Sequence, residues 1–249
     1  MMDAGTPPIG DAFGRLLLDC FEAAGADGDT TEIIERDDGF IGSGNARRYF
    51  ASPLEWPPIE LELLNRARGH VLDIGCGAGR HILELQGRGL NVTGLDTSPG
   101  AIEVSRRRGV RTVFQGRVDE LAIGGETLFD CFLMLGNNLG LLQSAEAAPE
   151  MLAALAARAR PGALILGTTI DPYDTAVPGH LAYHERNRQR GRMGGQVRMR
   201  VRHRELASEW FDYLMFSEQE LAGLIGGTGW QAVEVLRDGP RIGAVLKRA

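Results

Sequence analysis

The sequence predicts an α/β fold, a doubly wound and mostly parallel sheet with a C-terminal antiparallel hairpin strand and an inserted antiparallel β-hairpin. Three observations point there. Short apolar runs alternate with amphipathic helical segments between residues 71 and 168, a pattern that demands a parallel sheet covered on both faces and joined by right-handed crossovers. A glycine-rich turn, Gly75-Cys76-Gly77-Ala78-Gly79, follows the first of those runs. Two closing extended runs then meet across Asp238-Gly239-Pro240, a tight-turn sequence that returns the chain antiparallel to itself. At 249 residues the chain is long enough for one such unit with appendages and a substantial core.

The elements are expected in this order. Residues 11–25 read as a helix, because Phe13, Leu16, Leu17, Cys20, Phe21 and Ala24 recur at three- and four-residue spacing and Gly25 can stop it. Residues 33–41 read as a short hairpin around Asp38-Gly39. Trp56-Pro57-Pro58 breaks the chain before a helix over 59–68. Strands are then expected at 71–74, 91–95, 111–115, 131–135 and 163–168, with helices at 79–87, 100–108 and 149–159. An insertion over 171–216 ends in two extended runs, 196–206 and 209–216, expected to pair with each other. A helix over 217–225 precedes the closing strands at 231–236 and 242–247. The organisation expected is an N-terminal helical or lid segment, 1–58, and a main domain, 59–249, that carries the insertion.

Composition bounds the function. A formal net charge of −6 argues against a general polyanion binder. The three cysteines, Cys20, Cys76 and Cys131, are far apart and odd in number, so neither a disulfide framework nor a CxxC metal pair is expected. The N-terminus lacks the basic start and apolar run of a secretory signal. No apolar stretch approaches the roughly 20 residues that span a bilayer. A cytoplasmic protein without a membrane partner is expected.

A glycine-rich turn between a parallel strand and its helix is a place where a ligand can approach the backbone. The dinucleotide fingerprint GxGxxG would need glycine at 75, 77 and 80, and Arg80 stands in the last place. The spacing Gly75-x-Gly77-x-Gly79, with Asp73 two residues earlier, resembles instead the first motif of class I S-adenosylmethionine-dependent methyltransferases. Asp96 ends the second strand about 20 residues further on, where a carboxylate can accept hydrogen bonds from both ribose hydroxyls. Its other reading is a helix cap, a role Ser98 before Pro99 can fill instead. The runs 129–135 and 160–166 look like the family's fourth- and fifth-strand motifs, so the resemblance covers about residues 60 to 170.

The resemblance implies a Rossmann-like domain that binds S-adenosyl-L-methionine and releases S-adenosyl-L-homocysteine. It implies that Gly75, Cys76 and Gly77 line the amino-acid portion of the cofactor, with Asp73 near its ammonium. Asp96 would hold the ribose, Thr97 would pack on the adenine, Val118 would offer it a backbone N–H, and Leu135 would close over the pocket. Arg80, which opens the following helix, is counted with this set. Tyr49 is the candidate lid aromatic, with helix packing as its alternative. Many relatives carry an acidic residue where this chain has Arg117, so either Asp119 substitutes or that contact is absent.

The methyl acceptor is less legible. Leu135-Gly136-Asn137-Asn138-Leu139-Gly140 resembles the corresponding segment of glycine N-methyltransferase-like enzymes and lacks the Asn/Asp-Pro-Pro-Tyr signature of nucleic-acid amino methyltransferases. Asn137 and Asn138 are therefore candidates for orienting an acceptor, against a plain turn role. His184 in the insertion is the candidate base, since imidazole titrates near neutrality. His180-x-x-x-His184 lacks a third ligand, so no metal is expected. Arg198, Arg200, Arg202 and Arg204 alternate with Val197, Met199, Val201 and His203, which on a strand puts the arginines on one face. That face is read as solvated, with an anion-binding wall as the alternative. Trp210, Phe211, Tyr213 and Phe216 read as hairpin core.

The function expected is methyl transfer to an oxygen or nitrogen of a small molecule. The alternatives are an RNA- or protein-directed methyltransferase and a non-catalytic S-adenosylmethionine- or nucleotide-binding Rossmann-like protein. Nucleic acid is not the expected partner, and nothing in the sequence sets an oligomeric state.

Overall fold

The computed structural model describes residues 7–23, 30–118, 120 and 127–249. The chain opens with α1 (Ala12–Glu22), started by Asp11, whose side chain accepts from the Gly14 N–H. β1 (Thr31–Arg36) and β2 (Ile41–Asn45) follow as the expected antiparallel hairpin. α2 (Pro58–Leu64) begins on proline, which suits a first helical turn whose N–H groups have no partners. Then come β3 (His70–Ile74), α3 (Arg80–Gly87), β4 (Asn91–Asp96), α4 (Pro99–Arg107), β5 (Val113–Gln115) and β6 (Phe129–Met134). A 3-10 turn, Asn138–Leu142, leads to α5 (Ala148–Ala157) and β7 (Ala159–Ile170). The remainder is α6 (Pro178–Gln189), β8 (Gln196–His203), β9 (Leu206–Ala207), β10 (Phe211–Leu214), α7 (Glu218–Ile225), β11 (Trp230–Asp238) and β12 (Arg241–Arg248).

Two sheets organise these elements. The larger has the order β11-β12-β7-β6-β3-β4-β5. β7, β6, β3, β4 and β5 run parallel, while β12 and β11 join one edge antiparallel, as expected of the terminal hairpin. Alternate residues of the central strand serve opposite faces: Leu72 and Ile74 join one core cluster and Val71 the other. The chain winds outward from β3 in both directions, so the carboxyl ends of β3 and β6 flank the switch point, where such sheets bind ligands.

The second sheet was not legible as a unit. The hairpin of the insertion pairs as expected, with Tyr213 opposite Val197, but β8 also pairs with β1, with Arg200 opposite Glu35. The N-terminal hairpin and the insertion therefore share one five-stranded sheet, β10-β8-β1-β2 with β9 on β8. The arginine face is set by this pairing. Arg200 and Arg202 meet Glu35 at 2.8 and 3.4 Å, Arg198 meets Asp212 at 3.2 Å, and Arg204 meets Asp19 at 2.9 Å. Arg200 is buried and lies over the Trp210 ring. Arg198 and Arg204 keep exposed side chains, in line with a solvated face, while the ion pairs to Glu35, Asp212 and Asp19 take up the charge that an anion-binding wall would need.

Candidate functional site

The glycine-rich turn uses glycine for two physical reasons. Gly75, Gly77 and Gly79 have φ of +68°, +53° and +76°, a region that side-chain-bearing residues rarely enter. A Cβ on Gly75 would also stand 2.7 Å from the Asn138 amide nitrogen, and one on Gly79 would stand 2.6 Å from Val110. The turn's N–H groups are largely spent within the protein. Those of Gly75 and Cys76 donate to the Leu95 carbonyl at 2.8 and 3.1 Å, and that of Gly79 donates to Cys76. The Gly77 N–H donates to Asp96 Oδ2 at 2.8 Å, so a carboxylate of the chain occupies a position where a phosphate-binding turn would receive its anion.

Two buried acids face this turn. Asp96 ends β4, and its second oxygen accepts from the Ser98 N–H at 2.9 Å. Burial raises its pKa against the pull of those backbone donors. Asp73, in β3, is only 1% exposed, and its Oδ2 has no hydrogen-bond partner. Burial pushes that carboxyl up to about 8, although the nearby Arg80 charge acts in the opposite direction. Arg80 itself is tied to Glu60 at 2.6 Å and stacked over Trp56 at 5.3 Å. Of the remaining cofactor candidates, Cys76 is a buried thiol with its pKa raised by burial, and Leu135 is buried among Cys131 and Leu133. Thr97 is exposed and Val118 half-buried on the β4–β5 side. Asp119 lies outside the described residues.

Structure adds a cover that the sequence did not reveal. Asp11 accepts from the Ser98 hydroxyl at 2.9 Å and the Gly100 N–H at 2.8 Å, which seats α1 on the N-terminus of α4. Contact is so close that a Cβ on Gly100 would stand 2.6 Å from the Gly14 backbone. This seating carries Phe13 over the turn, 3.8 Å from where a Gly77 Cβ would be. Tyr49 meets Phe13 edge-on at 5.2 Å, so the candidate lid aromatic reaches the turn through another ring. A motif at Asp11 and Phe13 could have been suspected only from the N-cap spacing Asp11-x-x-Gly14, which by itself signals a helix start.

At the β6 end, Asn137 and Asn138 take different roles. Asn138 Nδ2 donates to the carbonyls of Ile74 and Gly75, each at 2.9 Å, and so braces the glycine-rich turn. Asn137 has φ of +76°, and its N–H donates to Thr168 Oγ1 at 2.8 Å. Its side-chain oxygen is buried without a partner. The Asn137 carbonyl accepts from Gly140 N–H and from the Tyr213 hydroxyl. Tyr213, expected as hairpin core, is instead half-buried and reaches from the second sheet to this loop. A Cβ on Gly140 would collide with its ring.

Behind Tyr49 sits a charged cluster that sequence reasoning missed. Glu32, 2% exposed on β1, accepts from the Tyr49 hydroxyl at 2.7 Å and from Arg48. Arg48 also donates to the Tyr49 oxygen at 3.0 Å. The only sequence signal was a glutamate among the apolar and charged residues of a short strand, which is too common to single out. His184 is not brought to this group. It is buried in α6 beside the Tyr173 ring, at 5.8 Å between centroids, and feels the charges of Arg188, His180, Arg36 and Glu220. Burial lowers its pKa, and its Nδ1 has no partner.

Comparison with known proteins adds sequence and fold relationships. A family model described as a methyltransferase domain matches residues 71–162. The chain is 32% identical over 101 residues to the malonyl-[acyl-carrier protein] O-methyltransferase of Serratia marcescens, a match over 40% of this chain and 38% of that protein. The matched part is therefore well under half of that curated relative. The solved structure of an S-adenosylmethionine-dependent methyltransferase from Bacteroides fragilis, in complex with S-adenosyl-L-homocysteine, superposes with a TM-score of 0.81. The two chains are 25% identical, over 98% of this chain and 97% of that one. A second such methyltransferase, from Methanosarcina mazei, has a TM-score of 0.59 at 19% identity, over 78% of this chain and 98% of that one.

Proposed function

Because the chain belongs to the class I S-adenosylmethionine-dependent methyltransferases, we propose that it transfers the methyl group of that cofactor to an oxygen or nitrogen of a small molecule. The observation that carries the cofactor assignment is Asp73. A buried carboxylate oxygen with no partner costs free energy unless a ligand supplies a donor, and the cofactor's ammonium is such a group. Asp96 supports the same reading, since its two bonded oxygens retain lone pairs for ribose hydroxyls. Gly77 lies under Phe13, which Tyr49 meets edge-on, so the turn where the amino-acid portion would sit is covered by aromatic rings.

The cofactor supplies an electrophilic methyl group on a sulfonium. What remains for the chain is to hold a nucleophile in line and to exclude water. A small acceptor is supported by the contacts that cover this region, with Phe13 over Gly77, Tyr49 edge-on to Phe13 and Tyr213 on the Asn137–Gly140 loop. Calorimetry tests the reading. S-adenosyl-L-homocysteine is expected to bind and NAD is not, and Asp96→Ala is expected to weaken binding by about 1–3 kcal/mol, the scale for losing charge-assisted hydrogen bonds. Binding of NAD in its place would overturn the cofactor assignment, and unchanged affinity in Asp96→Ala would overturn the ribose role.

A further inference from the structure

Resting on that reading, we infer that the acceptor is an amine, held through its N–H bonds by the phenolic oxygens of Tyr49 and Tyr213. The inference follows from which way each hydroxyl proton must point. Tyr49 is hydrogen-bonded to Glu32 Oε1 at 2.7 Å, and Tyr213 is hydrogen-bonded to the Asn137 carbonyl. A carboxylate and a carbonyl have no proton to give, so each phenol must donate. Each proton is thereby directed away from any ligand, and each phenolic oxygen presents only lone pairs.

Burial keeps both phenols protonated, pushing their pKa values far above neutrality, with Glu32 adding to the push on each. The direction of the protons therefore does not change near pH 7. Arg48 donates to Glu32 and to the Tyr49 oxygen, which still leaves that oxygen a lone pair. Asn137, whose backbone carbonyl accepts from Tyr213, also has a buried side-chain oxygen without a partner, which adds a third acceptor. Tyr49, Tyr213, Glu32 and Arg48 lie close enough for their charges to be felt at Tyr213.

Both tyrosines are linked to the glycine-rich turn. Tyr49 is linked through Phe13 over Gly77, and Tyr213 through Asn137, whose neighbour Asn138 braces Gly75. A molecule held by both phenolic oxygens would meet lone pairs. An amine has two N–H bonds to offer those oxygens while its own lone pair stays free for the methyl group. A carboxylate acceptor would set lone pairs against lone pairs, and an alcohol has one proton for two oxygens. In the transfer, the amine nitrogen gives its lone pair to the methyl carbon as the carbon–sulfur pair returns to sulfur. The resulting methylammonium then loses one N–H proton to water.

Sinefungin tests this without knowledge of the acceptor, because it carries an amine on carbon in place of the sulfonium methyl. Wild-type protein is expected to bind sinefungin at least tenfold more tightly than S-adenosyl-L-homocysteine, measured by calorimetry at one pH and salt. In Tyr213→Phe, and separately in Tyr49→Phe, that ratio is expected to fall by fivefold or more, with the homocysteine affinity of each variant showing that the cofactor site is still folded. Equal affinities in the wild type, or a ratio unmoved in both variants, would overturn the amine inference and leave the cofactor reading standing. Failure of both ligands to bind the wild type would overturn the cofactor reading and this inference with it.

Discussion

Asp73 is the residue whose chemistry is most directly measurable. With its pKa raised from the ordinary 3.8 to about 8, the carboxyl of the free protein is mostly protonated at pH 7. The sign follows from burial, which favours the neutral acid in the folded state. Stability from this group is present in full below about pH 4 and is lost as pH rises through about 8. A bound ammonium reverses that preference, so S-adenosyl-L-homocysteine binding at pH 7 is expected to release close to one proton. Calorimetry in buffers of different ionisation enthalpy reads the release directly, and Asp73→Asn should abolish it. Gly140 gives a second prediction at this scale. Gly140→Ala drives a methyl group into the Tyr213 ring, so the ring must leave Asn137. The expected cost is about 1–3 kcal/mol in denaturant unfolding, together with a loss of the sinefungin preference. A variant as stable as the wild type would show that the loop yields instead.

Among the elements, the contact between the β1–β2 turn and α6 holds the second sheet to the insertion helix. Arg36 is buried and bidentate on Asp38 at 2.7 and 2.8 Å, and it also donates to the Gly179 carbonyl at 3.2 Å. Its guanidinium lies over the Tyr183 ring at 4.1 Å, and the Tyr183 hydroxyl returns to Asp37 at 2.7 Å. The hydrogen bond from Arg36 holds the Asp38 carboxyl below its usual range. Removing one partner of such a pair strands the other's charge. Arg36→Ala is therefore expected to destabilise the chain by about 3 kcal/mol. Hydrogen exchange should rise at residues 37–41 and 178–184 while β3 and β6 stay protected. Equal loss of protection throughout would show that the contact is not local to these elements.

For the whole molecule, charge distribution separates a small-molecule enzyme from a polymer-directed one. Arg198, Arg200 and Arg202 of β8 are paired with Asp212 and Glu35, and Arg204 just beyond it with Asp19, so their number does not make a free basic surface. Counterion release requires cations that are available to phosphates. Single-stranded RNA followed by fluorescence anisotropy is accordingly expected to show weak association with a shallow dependence on salt. A log–log slope of several units would place free arginines on a nucleic-acid face and would favour the RNA-directed alternative.

Sequence alone determined the large sheet and its ligand-binding end. Strand and helix periodicity, the Gly75-x-Gly77-x-Gly79 turn and the acid at Asp96 are local patterns, and each is imposed by backbone sterics or by side-chain chemistry within a few residues. Tertiary structure decided everything at the seam. Glu32 and Tyr213 are far apart in sequence, and folding brings them near one another because β1 and β10 both pair with β8. Strand pairing takes its specificity from contacts on both partners at once, so neither hairpin announces the other in advance. The same holds for proton direction at Tyr49 and Tyr213. A tyrosine in a sequence is donor and acceptor alike, and only the carboxylate and carbonyl that folding places against these two make them acceptors toward a ligand.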